Sequence, residues 1–399
     1  MATALSFMDR QVLSVSIIKI KDEMAITDTE YGFINTGFLI SYAVMFTLGG
    51  VLIDKFGSRI GLAASVGFWS LATALHALAT NTFHFGFSRF LLGIGEGGCF
   101  PGAIKAVTEW ITPEKRAIAN GIAIGGSAVG SVVAVPLCAY ALNYMNWRYL
   151  FLFSGILGLI WVFFWWRITK KNPPIAVEER SSQEEQHKTS IRYNLLSLLK
   201  NKDALTFIFI RFILDPIFYF YMFWIPKYLN EAKGVSLEYI GKYAWIPFLA
   251  LGIANIAGGW LSDILYKLKG NIDFARKANM GIAALLTLPI LFVGSITSPA
   301  LIITIMSLAF FAHGIWITNY ITSIGDIFGK ERASTVVGIS GSAGAISSLV
   351  INPLIGVIIA SFSYTPLWVY SGIMYPIAFI IFIIFIPNIN KRTLAGEVR

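Results

Sequence analysis

Long apolar runs, cut at intervals by Gly, Pro and short clusters of charge, follow one another along the whole chain. A bilayer is crossed by a helix of about 20 residues, and in the first half such runs predict helices near 1–20, 29–53, 59–80, 83–107, 117–140 and 147–168. The pattern then breaks. Residues 169–202 hold Pro173-Pro174, Glu178, Glu179, Arg180, Glu184, Glu185 and several lysines, a composition that cannot enter lipid. Beyond it the runs resume near 203–230, 236–265, 276–296, 299–327, 332–361 and 364–387. The expectation is an all-α membrane protein with twelve transmembrane helices. Residues 1–168 form an N-terminal six-helix bundle, 169–202 a central cytoplasmic loop, and 203–399 a C-terminal six-helix bundle with a short cytoplasmic tail.

Charge in the connections sets the orientation. Lys55, Arg59, Lys115, Arg116, the basic residues of the central loop, Lys267, Lys269, Arg276, Lys277, Lys330, Arg332, Lys391, Arg392 and Arg399 fall on one side, against Lys19, Lys21, Arg148, Lys227, Lys233 and Lys242 on the other. The richer side is cytoplasmic by the positive-inside rule, and it carries both termini, which demands an even number of spans.

Composition removes other readings. With 56% hydrophobic and 13% charged residues and a mean hydropathy of +0.68, there is too little polar surface to clothe a soluble globule. The net charge of +9 is spread over connecting loops, so it reflects topology and not nucleic-acid binding. Cys99 and Cys138 lie in apolar segments, which offers neither a disulfide framework nor a zinc spacing. There is no Gly-x4-Gly-Lys-Ser/Thr loop and no HExxH helix, and Gly338-Ile-Ser340-Gly-Ser342 misses the Gly-x-Ser-x-Gly pattern at its last residue. The chain is expected to be no enzyme, and its energy to come from a gradient.

The two halves echo each other. Gly50-x-x-x-Asp54 returns as Gly259-x-x-x-Asp263, and Lys115-Arg116-Ala117 with Gly126-Ser127-Ala128 returns as Glu331-Arg332-Ala333 with Gly341-Ser342-Ala343. Related bundles of this kind build a central site with alternating access in many secondary transporters.

Ionisable groups inside apolar segments are expensive and usually face a cavity. The first segment holds Asp9 and Arg10, about 100° apart on a helix, and the fourth holds Arg89, Gly93, Glu96 and Gly97 on one face. Arg89 and Glu96 are about 10.5 Å apart along the axis, and the glycine-lined space between them suits a bound anion. An arginine fork matches a carboxylate, while a desolvated Asp or Glu can take a proton. The alternatives are a structural ion-pair ladder with glycines for close packing, and an Asp9 that merely neutralises Arg10 or Arg89. Asp54 and Arg59 flank the turn after the second segment, as a charge-bonded latch or a plain cytoplasmic turn. Arg211 and Asp215 stand one turn apart, followed by Tyr219, Tyr221 and Trp224, while His313, Trp316 and Asn319 recur at three-residue spacing. Such aromatics either stack on a sugar ring or face lipid, with His313 and Asn319 the better candidates for contact with substrate.

Asp9-Arg10, the loop from Gly50 to Arg59, Arg89-Phe-Leu-Leu-Gly-Ile-Gly-Glu96-Gly-Gly-Cys-Phe100-Pro101 and Trp147-Arg148 resemble the anion:cation symporter family of the major facilitator superfamily, and the likeness runs over essentially the whole chain. Arg211 to Pro216, Tyr219 to Tyr228 and Ala312-His313-Gly-Ile-Trp316 are similar to its hexuronate transporter branch. The resemblance implies the major facilitator fold of two pseudo-symmetric bundles in a bacterial inner membrane, and proton-coupled symport of a sugar acid such as glucuronate or galacturonate. It places Arg10, Tyr42 and Arg89 at the substrate and gives Asp9 and Glu96 the protons.

Two departures stand out. Ser6-Phe7 occupies positions where the family often has Asn-Tyr, which removes a phenol. The first helix also begins some fifteen residues short of the family's usual start, and a misassigned or truncated start is expected. Taken together, Arg10 and Arg89 are expected to neutralise the carboxylate, Tyr42, His313, Trp316 and Asn319 to read hydroxyls, and protonation of Glu96 and Asp9 to let the loaded carrier reorient. No cofactor is expected, only the proton gradient, with sodium as the alternative coupling ion. The expected partners are a small carboxylate substrate, protons and the bilayer, with no nucleic acid, for a chain working as a monomer. The rival readings are a symporter of another organic anion (an aldonate, aldarate or aromatic acid) and a membrane sensor that no longer transports.

Overall fold

The computed structural model describes residues 1–111, 116–171, 198 and 200–390. Most of the expected central loop, Lys115 and the tail from residue 391 lie outside the described residues, as do the side chains of Asp54 and Arg116. The described residues are almost wholly helical, with no strand among them. α1 is Ala2–Met24. Asp28–Leu75 is one helical run broken at Gly57 (φ 78°, ψ 158°) into α2 (28–56) and α3 (58–75), which ends in a 3-10 turn, His76–Leu78. α4 has two limbs, Thr82–Glu96 and Cys99–Trp110. α5 is Arg116–Ala141 and α6 Trp147–Lys171. α7, Lys202–Lys227, runs on into a π-turn, Tyr228–Ala232. α8 comprises Leu237–Tyr243 and Ile246–Lys269, and α9 is Ile272–Leu286. Pro299–Phe362 breaks at Gly329 (φ 63°, ψ −175°) into α10 (299–328) and α11 (330–362), and α12 is Thr365–Phe385.

The breaks follow from residue chemistry. Gly57 and Gly329 adopt positive φ, which costs a glycine little and a side chain much. α2 starts at a capping box, in which Thr27 accepts from the Glu30 amide and Glu30 accepts from the Thr27 amide. Glu109 of α4 accepts from the Ser58 amide at 3.2 Å and its hydroxyl at 2.6 Å, which fixes the start of α3. Among the described residues, eight helices are long and apolar enough to cross a membrane. α1, α2, α4 and α9 are not among them: α1 is diluted by charge and serine, and α4 is interrupted at Gly97-Gly98. The outward face of α6 shows why lipid is needed, since Phe153, Ile156, Ile160, Phe163 and Phe164 are all exposed.

The chain forms two compact units, the first being Met1–Glu179, Tyr219–Trp245 and Ser348–Ser361, and the second Arg180–Phe218, Ile246–Ser347 and Phe362–Arg399. In the first, α1 packs on α5 and α6, and the α2–α3 run packs on α4 and α6. Lipid gives helices little hydrophobic reason to associate, so close backbone approach matters. A Cβ on Gly95 would lie 2.5 Å from the Trp69 Cβ, and one on Gly97 2.6 Å from the Met45 Cβ. At one end of this unit the buried Lys227 ammonium donates to Asp28 and Glu231, each at 2.5 Å, and Lys21 reaches both at 3.1 Å. Tyr31 donates to the Phe223 carbonyl at 2.7 Å, and Ser14 to the Met222 and Phe223 carbonyls at 3.1 Å. The second unit packs Trp316, Tyr320, Trp368 and Tyr375 in its core, and Arg276 of α9 pairs with Asp326 of α10 at 2.9 Å.

Candidate functional site

α1 and α4 bring four ionisable side chains into the first unit, all nearly sealed: Asp9 is 3% exposed, Arg10 2%, Arg89 1% and Glu96 1%. Arg10 Nε donates to Glu96 Oε2 at 2.9 Å, and Ser6, one turn earlier on α1, donates to the same oxygen at 2.8 Å. Glu96 ends the first limb of α4, beside the Gly97-Gly98 break. The backbone bends there without unwinding, since the Gly97 amide still donates to the Gly93 carbonyl at 3.1 Å.

Arg89 has a different fate. None of its three guanidinium nitrogens has a hydrogen-bond partner among the described residues, although all three are buried. Its surroundings are aromatic, with the Phe38 ring at 5.8 Å and the Phe223 ring at 6.0 Å. Arg10 shares that wall: its guanidinium lies over Phe7 at 4.6 Å, Tyr42 at 4.8 Å and Phe38 at 4.9 Å. Phe38 stacks on Tyr42 one turn away, and Tyr219 lies within electrostatic reach of Arg10. Arg10 Nη2 and Glu96 Oε1 also lack partners among the described residues. Two guanidinium groups, one paired and one unspent, therefore face the same rings.

The glycines of α4 do something other than line a space for an anion. A Cβ on Gly93 would collide with the Ser41 hydroxyl and the Phe38 carbonyl, and Gly97 meets Met45 and Phe46. These glycines draw α2 against α4, and by doing so carry Phe38 and Tyr42 to the arginines.

Asp9 points elsewhere. Ser154 of α6 donates to its Oδ1, and the Thr73 side chain of α3 faces it. It neutralises neither arginine by direct contact; Glu96 pairs with Arg10. Adjacent positions on a helix differ by about 100°, enough to send Asp9 into the packing of α1, α3 and α6 while Arg10 meets α2 and α4. Phe38, Thr73 and Ser154 were not singled out from sequence, and Ser6 was noted only as a departure from the resembled family. Ser6 and Phe38 could have been found one turn before Arg10 and Tyr42, but Thr73 and Ser154 carry no such signal.

The second unit holds His313, Trp316 and Asn319, and the pair Arg211 and Asp215. His313 Nδ1 shares a 2.6 Å hydrogen bond with the Tyr375 hydroxyl, and its ring stacks on Phe218 at 4.6 Å. Trp316 meets Tyr375 edge-on at 5.6 Å. The Asn319 amide donates to the Gly258 and Ile315 carbonyls at 3.2 and 2.9 Å, which leaves its carbonyl oxygen for another donor. Arg211 holds Asp215 bidentately, at 2.8 to 3.0 Å, and Gly344 of α11 makes room for that carboxylate. Arg59 lies over Trp166 of α6 at 4.6 Å, and its carbonyl accepts from Trp165; Asp54, its expected latch partner, has no described side chain.

The family model of the Major Facilitator Superfamily matches residues 1–351, and the chain belongs to that superfamily. It is therefore a secondary transporter with the twelve-helix major facilitator fold. It is 26% identical to the hexuronate transporter of Escherichia coli K12 over 378 residues, covering 92% of this chain and 88% of that one. It is 28% identical to the galacturonate transporter of Dickeya chrysanthemi over 307 residues, covering 74% and 89%. Among solved structures, the D-xylose-proton symporter aligns with a TM-score of 0.76 at 14% identity, covering 97% of this chain and 96% of that one.

Proposed function

We propose that this member of the superfamily carries a monovalent sugar acid, such as glucuronate or galacturonate, into a bacterial cell together with a proton. In this reading it works as a monomer in the inner membrane with both termini in the cytoplasm, performs no covalent chemistry on its substrate and needs no cofactor. The observation that carries it is Arg89, a sealed guanidinium whose donors are all unspent. A buried charge without a partner costs several kcal/mol, and a planar carboxylate is the ligand its fork fits. The hexuronate and galacturonate transporters to which the chain is similar support the sugar acid.

In the empty carrier Glu96 occupies Arg10. A carboxylate arriving at Arg89 lies beside that pair, and protonation of Glu96 loosens it and frees Arg10 for the same substrate. Phe38, Tyr42 and Phe223 offer ring faces to the C–H side of a sugar. Asp9, held by Ser154, is the other carboxylate that can carry that one proton, apart from the substrate. Phe7 favours a second reading within the class: a hydrocarbon ring covers Arg10 where the resembled family often has a phenol, which suits an aromatic acid better than a hydroxylated one.

Purified protein in proteoliposomes, given labelled glucuronate or galacturonate and an acidic exterior, should accumulate the acid, alkalinise the exterior, and stop when a protonophore is added. Accumulation that survives the protonophore but needs sodium would reject proton coupling. Binding without accumulation would favour a sensor. A competitor panel of aldonates, aldarates and aromatic acids separates the second reading from the first.

A further inference from the structure

We propose that Gln11 and Asn35 read the hydroxyls of the substrate, as a pair of sealed amides that makes the carrier select a polyhydroxylated acid over a bare one. The proposal rests on the sugar-acid reading above and deepens it by naming the side chains that meet the hydroxyls.

Both residues are 0% exposed. Neither Gln11 Nε2 nor Gln11 Oε1 has a hydrogen-bond partner among the described residues. Asn35 Nδ2 donates to the Tyr31 carbonyl at 3.1 Å, which fixes the amide's rotation, and Asn35 Oδ1 is left buried without a partner among the described residues. A sealed polar group that meets nothing costs about ten-fold to a hundred-fold in an equilibrium. A ligand that satisfies it recovers that cost.

Hydrogen bonds at α7 put the two amides at one level. Ser14 of α1 donates to the Phe223 carbonyl at 3.1 Å, and Tyr31 of α2 donates to the same oxygen at 2.7 Å. Gln11 lies one turn before Ser14, and Asn35 one turn after Tyr31. α1 and α2 are joined by the short turn 25–27 and run in opposite directions. Both steps therefore lead the same way from Phe223, by about 4.5 to 6 Å along the helix axes, towards the two arginines.

The helix faces agree with this. Tyr31, Asn35, Phe38 and Tyr42 form one stripe of α2, and its Phe38 ring lies 4.9 Å from the Arg10 guanidinium and 5.8 Å from that of Arg89. Other faces of α2 are taken: Gly37 abuts Gly86 of α4, and Gly32 abuts Asn352 of α11, where Thr36 donates to the Leu349 carbonyl. On α1 the stripe is Phe7, Gln11 and Ser14, with the Phe7 ring on Arg10 at one end and Ser14 on Phe223 at the other. Asp9 and Arg10 are held apart from it, by Ser154 and Glu96.

An amide oxygen accepts and an amide nitrogen donates, whereas a sugar hydroxyl does both. With the carboxylate on Arg89, one ring hydroxyl donates to Asn35 Oδ1 and another meets the donor and acceptor of Gln11. An aromatic acid would leave both amides unmet.

The test compares galacturonate with tetrahydropyran-2-carboxylate, which keeps the ring and the acid and lacks every hydroxyl, by calorimetric titration of the whole carrier in detergent. The wild type should prefer galacturonate by about a hundred-fold or more. Gln11→Met and Asn35→Leu, close in size to the residues they replace, should each lower that preference about ten-fold or more; either one tests the pair if the other does not fold. Among mono-deoxy galacturonates, at least one should bind the wild type about ten-fold more weakly than galacturonate does, yet bind Asn35→Leu as well as galacturonate does, a coupling that a packing role cannot produce. A preference unchanged in both variants would overturn the proposal, whether both acids still bind or both are weakened alike. A wild type that binds no sugar acid fails the substrate reading itself and takes this proposal with it, and that failure shows before any variant is made.

Discussion

Replacing Arg89 by Leu should make the empty protein more heat-stable and unable to bind its substrate. The side chain is 1% exposed and none of its nitrogens has a hydrogen-bond partner among the described residues, so the empty carrier bears much of the cost of burying a charge, several kcal/mol by general experience. Only ring faces at 5.8 and 6.0 Å offset it by contact, and cation–π contacts return about 0.5 to 2 kcal/mol. Leucine is shorter than arginine but carries no charge, so it removes that cost. A bound carboxylate would gain two charge-assisted hydrogen bonds from the fork, and losing one partner of a buried charge pair costs about 2 to 5 kcal/mol. At about 1.4 kcal/mol per factor of ten, affinity should fall by roughly one and a half to three and a half orders of magnitude. Arg89→Lys should rescue little, because an ammonium cannot form the fork. Thermal unfolding in detergent reads the first effect and calorimetric titration with glucuronate the second. A structural ion-pair ladder predicts the reverse. If Arg89→Leu melts earlier than wild type and still binds the acid, Arg89 is structural and the assignment of the carboxylate to it is wrong.

Glu96→Gln can keep a contact to Ser6 and Arg10 without carrying a transferable proton, so it should exchange substrate across the membrane but lose proton-driven accumulation; accumulation at the wild-type level would remove Glu96 from coupling. Two glycines of α4 form a matched pair: Gly93→Ala drives a Cβ into the α2 backbone, with the Tyr42 amide also at 3.0 Å, and should cost about 1 to 3 kcal/mol, whereas Gly86→Ala meets nothing within 4 Å and should melt like wild type. Burial alone would push the Asp28 carboxyl up, but Lys227 and Lys21 outweigh it and hold it below the usual carboxylate range. Its contribution is therefore complete above that range and is lost as pH falls through the depressed value. The melting temperature should hold from neutrality to about pH 4 and then drop, and Asp28→Asn should lower it at neutral pH and flatten the acid-side loss.

The helices were legible because lipid imposes a length and a polarity on every span, and the ends of α5, α6 and α12 fall within a few residues of where hydropathy places them. Asp9, Arg10, Arg89 and Glu96 were legible as unusual because each costs energy in that setting. Their pairing was not. Whether Asp9 or Glu96 holds Arg10 depends on which helix lies opposite each face of α1, and that follows from the glycine contacts of α4 with α2, which span dozens of residues of sequence. Gly93 and Gly97 were visible as small residues on a charged face, yet only packing distinguishes room for an anion from room for a neighbouring backbone. The break at Gly97-Gly98 was hidden for a similar reason, since glycine pairs occur in unbroken membrane helices as well. His313 was legible as a polar residue in an apolar run, but its bond to Tyr375 joins positions on α10 and α12 that no local pattern connects.

Charge balance among the four buried groups leads to one more test. With both acids ionised, the positive charges of Arg10 and Arg89 cancel the negative charges of Asp9 and Glu96, so the empty site is neutral. A monovalent acid alone would leave the loaded site with one negative charge to move through a low-dielectric interior, at a cost of several kcal/mol. One proton, on either carboxylate, restores neutrality; a second would leave the loaded site positive. Coupling of one proton per acid is therefore electroneutral, and a membrane potential should not change the rate of uptake. Two protons would make a potential of 100 mV, inside negative, worth about 2.3 kcal/mol to the inward step. Uptake into proteoliposomes at a fixed pH gradient, with the potential set by potassium and valinomycin, separates the two. A rate that climbs as the interior is made negative would refute the four-group balance and require a second proton or another charged side chain to travel with the substrate.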